Sequence, residues 1–367
     1  MFLLAYLMGT KVLYLFPTGM ATKSGSSAWI SILISMLVGL LGLWGWLRWI
    51  SLTGEEGFVP SLRKTCGKLA GNTLAVLICA VLILTTGWTI RLFVGGAVIG
   101  VVPDFPIEAL VWTSVITGVY AAWLGVEAVS RAAGFFFFPT LLSLIAVLSS
   151  LFGHFELHNL TPIWGLGVKN TLAQGLINIG TFGGIAAVGI VKSYFRKREE
   201  LAARSVAGLL ISAVVLLAGV VFAAAVFPYP MSTGKADPLG AMARSAFLGR
   251  FIQRVEVLII FVWFFSTAVQ VSFLYVLGLA LIAQLSNTGT YRPFAPALAV
   301  LTFGIATIPA NTLRAGQLMD TYFATTSGTV LVFLGWVLYL VGKARGIRQQ
   351  ENSVGGDNAT DGPDSAA

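Results

Sequence analysis

Apolar runs of about twenty residues recur along almost the whole chain, and nothing else constrains its fold as strongly. A helix needs about 20 predominantly apolar residues to cross a bilayer. Ten such runs stand at approximately 1–20, 28–50, 72–101, 107–124, 134–152, 172–191, 205–227, 254–284, 293–309 and 321–342. The 367 residues are 10% charged, against about 25% in a soluble domain. The chain therefore reads as an all-α polytopic membrane protein with about ten transmembrane helices. Runs 72–101 and 254–284 exceed the bilayer thickness, which predicts tilt or extension beyond it.

The formal charge of +8 sits mostly in short loops between these runs. It is a topology signal, not a nucleic-acid surface. With the first residue on the cytoplasmic side, 14 Lys and Arg fall in cytoplasmic loops and 7 outside. Lys11 and Arg91 lie within spans. Both termini are thus expected inside, in a lipid bilayer. One outer loop, 228–253, carries four basic residues against the trend. Within it, Leu239, Met242, Ala243, Ala246 and Phe247 recur at helical spacing. That pattern predicts a short amphipathic helix on the outer face, either a lid or a plain surface helix. Residues 1–345 form the membrane domain, and 346–367 are polar, aperiodic and expected to be disordered. Trp44, Trp46 and Trp49 close the second span like an interfacial belt. Phe135 to Phe138 open the fifth and face lipid or packed neighbours. Cys66 and Cys79 fall in a loop and in a span, and no disulfide is expected between them. No cleavable signal peptide is expected, because the first run lacks a basic lead and a small-residue cleavage site.

Two spans look broken. The opening stretch, MFLLAYLMGTKVLYLFPTG, holds Gly9, Thr10 and Lys11 in its middle. A lysine at membrane depth costs roughly 2.5–3.5 kcal/mol on insertion scales, so it faces a cavity or a partner. Gly9 beside it weakens the helix. The sixth span, TLAQGLINIGTFGGIAAVGIV, carries Gln174 and Asn178, then Gly180, Thr181, Phe182, Gly183 and Gly184. Such a run either breaks a helix around a cavity or lets helices pack closely through small residues.

Spans one and six open two halves, 1–152 and 172–342. That layout predicts a 5+5 inverted repeat with broken helices 1 and 6 and a site at the bilayer midplane. The repeat is inferred from hydropathy and break position. Free N–H groups at the start of a half-helix favour a carboxylate. They would lie near Val12 and Leu13, and near Gly183 and Gly184. Arg91, two-thirds along span three, either snorkels to an interface or lines the central cavity. Ser266, Thr267 and Gln270 punctuate span eight, where back-bonding of the hydroxyls to the helix is the plain reading. His154 and His158 in HFELH have a metal-ligand spacing if helical, but no third ligand is placed nearby. No nucleotide-binding loop or nucleophile triad stands out. The expectation is a non-enzyme without cofactor or metal.

The segment MGTKVLYLFPTGMATKSGSSAWISILIS resembles the first-helix break and following Trp-Ile helix of endospore germination permeases. DPLGAMARSAFLGRFIQRVEVLIIFVWFFSTAVQ resembles their long outer loop running into span eight. These permeases are the B subunits of nutrient germinant receptors. The resemblance covers about residues 1–345 and implies an amino acid–polyamine–organocation fold, similar to LeuT. It implies residence in the inner membrane of a spore and partner A and C subunits. It also implies the sensing of a small nutrient, often an amino acid. Carried across by position, it places a ligand pocket at Gly9, Thr10 and Lys11, with Asn178, Gly180, Thr181, Phe182 and Gly183. Phe182 would be an aromatic gate. Arg91 and Gln270 complete the candidate set. Two departures stand out. Relatives usually have several residues before the first span, and many carry a small or apolar residue where Lys11 stands. The Lys11 ammonium either replaces a sodium ion, holds a ligand carboxylate, or pairs with a backbone carbonyl at the break. The functional alternatives are a receptor subunit, an amino-acid or organic-cation permease, and a non-binding scaffold.

Overall fold

The structure, a computed structural model, describes residues 1–13, 16–54, 56–195, 197–227, 229 and 256–347. The expected surface helix within 238–253 and the tail beyond Ile347 lie outside them. Among the described residues there is no strand. Seven helical stretches are long and apolar enough to cross a membrane: Gly19–Thr53, Lys68–Gly100, Val126–His154, Val168–Tyr194, Arg198–Val226, Val257–Leu285 and Thr312–Ala344. Three shorter apolar helices, Phe2–Leu13, Ile107–Trp123 and Arg292–Thr307, accompany them.

The opening run is not one helix. α1 (Phe2–Gly9) passes into a 3₁₀ segment at Thr10–Leu13, and α2 (Phe16–Ser24) follows. Gly25 then turns the chain at φ +64°, a left-handed value that glycine adopts without strain, into α3 (Ala28–Thr53). A short amphipathic helix, α4 (Phe58–Cys66), lies at the end of α3. The side-chain oxygen of Gln284 accepts from the Val59 amide at 2.9 Å and so satisfies a free donor at its start. α5 (Lys68–Gly100), α6 (Ile107–Trp123) and α7 (Val126–Ser150) follow.

The second break lies in helix six. α8 (Val168–Ile177) gives way to a nine-residue 3₁₀ segment, Asn178–Ala186, and then to α9, only Ala187–Val191. Runs of 3₁₀ this long are uncommon and mark strain or function. After α10 (Arg198–Val226), α11 (Glu256–Leu285) and α12 (Ala295–Thr307) comes a third irregularity. α13 (Thr312–Leu318) and α14 (Gly328–Ala344) are joined by a π-helical stretch, Met319–Ser327. Thr325, Thr326 and Ser327 there donate to the carbonyls five residues back, at 3.0, 2.9 and 2.5 Å.

α14 packs on α3 and on the 178–186 segment, α1 packs on α10, and α11 packs against α5, α6 and α7. One end of this bundle, the basic end, carries Arg48, Arg63, Lys64, Arg131, Arg198, Arg204 and Lys343. The opposite end carries Asp104, Glu108, Glu156 and Asp320 together with Lys23, Lys169 and Arg314.

The tryptophan belt is corrected in part. Trp46 and Trp49 are fully buried. Their indoles donate to the Leu331 carbonyl at 2.9 Å and the Thr65 hydroxyl at 3.0 Å. Trp46 faces α14, where Gly42 and Gly335 let the backbones close in, and Trp49 faces α4. Trp44 points elsewhere, half exposed against Trp336. In the phenylalanine run, Phe135 and Phe138 are exposed. Phe136 stacks on Phe265 and Phe137 packs on Phe2. His154 and His158 sit on separate 3₁₀ turns with an extended Phe155 between them, so the i,i+4 pairing is not formed.

Candidate functional site

The breaks in helices one and six meet. Lys11, at the 3₁₀ turn after α1, is buried and donates from Nζ to the Thr181 carbonyl at 2.6 Å. That carbonyl is available because the 3₁₀ segment has lost the regular α-helical ladder. The same ammonium lies 4.5 Å from the centre of the Phe323 ring, a cation–π distance. An ammonium carries three donors, and Nζ makes one hydrogen bond among the described residues.

Around Lys11 is a small pocket lined by Leu7, Gly183, Gly184, Gln270 and Phe323, with Ile78, Leu82, Thr85, Leu274, Met319 and Leu331 closing it. Its void measures about 20 Å³, room for roughly one water. The described form is thus closed around any ligand larger than that. Gln270 donates from Nε2 to the Leu7 carbonyl at 3.3 Å. Its Oε1 and the Thr181 hydroxyl are buried with no hydrogen-bond partner among the described residues. Buried polar atoms left unpaired cost about 1–3 kcal/mol each. One pocket therefore holds spare donors on Lys11 and a spare acceptor on Gln270.

The structure does not gather all the sequence candidates there. Gly9 and Thr10 face the other side of helix one, toward a void of about 50 Å³ lined by Tyr6, Thr140, Leu144, Val215, Val262 and Ser266. The Thr10 hydroxyl bonds back to the Tyr6 carbonyl at 2.6 Å. Asn178 bonds its own helix, from Nδ2 to the Gln174 carbonyl at 2.8 Å. Phe182 is fully buried against Gly39 of α3 and does not line the Lys11 pocket. Gly180 and Gly183 touch the backbone at Ala324 and Gly328. A Cβ on Gly180 would collide with the Ala324 carbonyl, so this contact needs glycine. Arg91 is buried and reaches the Pro309 and Ala310 carbonyls, each at 3.3 Å, tying α5 to the turn between α12 and α13.

The residue that sequence reasoning missed is Phe323. The π-helical stretch turns it and Met319 into the pocket. The only signal was Thr325-Thr326-Ser327, a polar run in an otherwise apolar span. One position outward, Asp320 pairs with Lys23 of α2 at 3.0 Å, both half exposed. At the basic end a second buried lysine appears. Lys192, counted from sequence as a loop charge, donates to the Ser61 hydroxyl at 2.6 Å, to the Thr53 hydroxyl at 2.8 Å and to the Gly54 carbonyl at 3.5 Å.

The sequence profile of the spore germination protein family matches residues 1–313. The chain belongs to the spore germination protein family. Two relatives from Bacillus subtilis (strain 168) agree. It is 22% identical to a spore germination protein named YfkT over 281 residues, 76% of this chain and 77% of the relative. It is 23% identical to spore germination protein A2 over 263 residues, 69% of this chain and 71% of the relative. Membership and the seven long apolar helices make this an integral membrane protein with a role in spore germination. The family is not an enzyme family.

Proposed function

We propose that the chain is the nutrient-sensing subunit of a germinant receptor. An α-amino acid binds between broken helices one and six, and occupancy is passed to partner A and C subunits. The observation that carries this reading is the Lys11–Gln270 pocket. Lys11 is placed to hold a carboxylate, and the bare Gln270 Oε1 is placed to accept from an ammonium. Such complementary spare groups match a zwitterion. The single bond to the Thr181 carbonyl also fits a structural charge, and the spare donors favour the ligand reading. A void of about 20 Å³ means that binding must widen the pocket. That supplies the two conformations through which a ligand can signal.

Several features support the wider picture. α1 packs on α10 as the 178–186 segment packs on α3, and α6 packs on α11 as α12 packs on α5. That pairing is the one expected of two inverted halves, 1–152 and 172–342, with ten spans. The basic end is cytoplasmic on the positive-inside rule, which places both termini inside, in the inner membrane of the spore. Cys66 at the basic end is partly accessible and Cys79 is buried in α5. A membrane-impermeant maleimide should label Cys66 only from the cytoplasmic side. Burial raises the Cys66 thiol pKa and Arg345 opposes this, so labelling should quicken as pH rises through the alkaline range.

The deciding experiment pairs gene deletion with binding. Spores lacking the gene are screened against single amino acids, sugars and nucleosides, and the purified chain is titrated with any nutrient that fails. Loss of response to one amino acid, restored by the gene and matched by binding, is expected. Binding of none of the nutrients, with germination unaltered, would leave the scaffold reading in place. A second reading, an amino-acid or organic-cation permease, is favoured by one observation. A cavity of about 560 Å³ opens at the basic end, lined by Leu4, Glu127, Val191, Tyr194, Arg204 and Phe273. Concentrative uptake by the chain alone in liposomes would select it.

A further inference from the structure

We propose that Lys192 is an inner latch that lets the chain bind a ligand from the opposite end without releasing it at the basic end. This rests on the binding site proposed above. The central pocket and the 560 Å³ cavity are lined by neighbouring residues of the same helices. Leu7, Ile190 and Leu274 line the pocket, while Leu4, Val191 and Phe273 line the cavity. Each pair is adjacent or one turn apart on α1, α9 or α11. Ile190 and Val191 are therefore the part of α9 that lies between pocket and cavity.

That part has little of its own to hold it. α9 is five residues, Ala187–Val191, between a 3₁₀ segment and a 3₁₀ turn. A helix this short is far below the length that is stable alone. Gly189 seats it against Trp46 and Phe58. The next residue after Val191 is Lys192, which is buried. Its three hydrogen bonds go to the end of α3 at Thr53, to Gly54 and to α4 at Ser61, and its ammonium lies 5.0 Å from the Trp49 ring centre. All three donors are used. No carboxylate lies within ion-pair distance among the described residues. To move this part of α9, the ammonium must leave three acceptors and a ring at once.

The opposite end is closed differently. There, α2 is tied to the π-helical stretch by the Lys23–Asp320 pair, which is half exposed. Exposed pairs contribute little, with a median near 0–1 kcal/mol. Parting α2 from the π-helical stretch is thus cheaper than releasing the latch, an asymmetry that suits a receptor that samples ligand without transporting it.

The test does not depend on knowing the ligand. The full chain, with Cys66 and Cys79 replaced by Ser and Ile190→Cys as the only cysteine, is reconstituted in liposomes. A membrane-impermeant maleimide is applied at the basic end. With Lys192 present, labelling is expected to be slow. Lys192→Met should speed it at least tenfold, and the milder pair Thr53→Val with Ser61→Ala should speed it in the same direction. In parallel, the same liposomes are assayed for binding and flux of a radiolabelled mixture of the twenty standard amino acids. The latch predicts binding without flux for the parent chain and measurable flux for Lys192→Met. Faster labelling without amino-acid binding in either chain would keep the latch and reject the amino-acid reading. Unchanged labelling in both variants, with normal folding and binding, would overturn the latch and leave the binding site standing.

Discussion

Lys11 and Lys192 are both buried, both sit beside an aromatic ring, and both occupy irregular turns of broken or ending helices. They differ in how fully their donors are used. Lys192 has three acceptors from two neighbouring segments. Among the described residues Lys11 has one, beside a Gln270 oxygen and a Thr181 hydroxyl that have no partner there. A saturated buried charge holds elements together. An unsaturated one, next to other unsatisfied groups, is what the proposed ligand site requires. Burial alone does not separate the two lysines, and the proposed ligand role of Lys11 rests on its count of satisfied donors.

The comparison can be broken most directly at Lys11. Lys11→Met should weaken ligand binding by roughly 100-fold, the loss expected for a charged hydrogen bond of up to about 3 kcal/mol. A titration showing normal affinity would make Lys11 a structural charge like Lys192. Next comes Phe323→Leu, which removes the ring from the ammonium. A cation–π contact of about 0.5–2 kcal/mol predicts roughly a 3- to 30-fold loss of affinity at unchanged folding. Lys192→Met should do the reverse of Lys11→Met. Affinity should stay within about fivefold, while thermal unfolding in detergent shows a loss of about 1–2 kcal/mol. The loss stays small because Thr53 and Ser61 also bond the Trp49 and Gly57 carbonyls. The smallest effect belongs to Asp320→Asn at the half-exposed pair. It should change stability by less than about 1 kcal/mol, and that change should shrink in high salt.

Much of the architecture was legible before any coordinates. The spans follow from apolar run length, and the breaks at Gly9–Lys11 and Asn178–Gly184 follow from glycine and polar residues that a lipid-facing helix avoids. Lys11 and Gln270 were both legible as polar outliers. Phe182 was read as facing the site because it lies within the break, yet the 3₁₀ winding turns it onto Gly39 of α3. Phe323 was invisible, since an aromatic residue in an apolar span carries no signal until a π-helical turn rotates it inward. Lys192 looked like one more loop charge because its acceptors, Thr53, Gly54 and Ser61, are over 130 residues away.

Sequence alone therefore determined that this chain lives in a membrane and where two of its helices fail. Bilayer solvation imposes both, one residue at a time. Only the tertiary structure decided which side each broken turn presents and which polar groups find partners. Those outcomes depend on winding and on distant backbone acceptors, and neither is written in local composition.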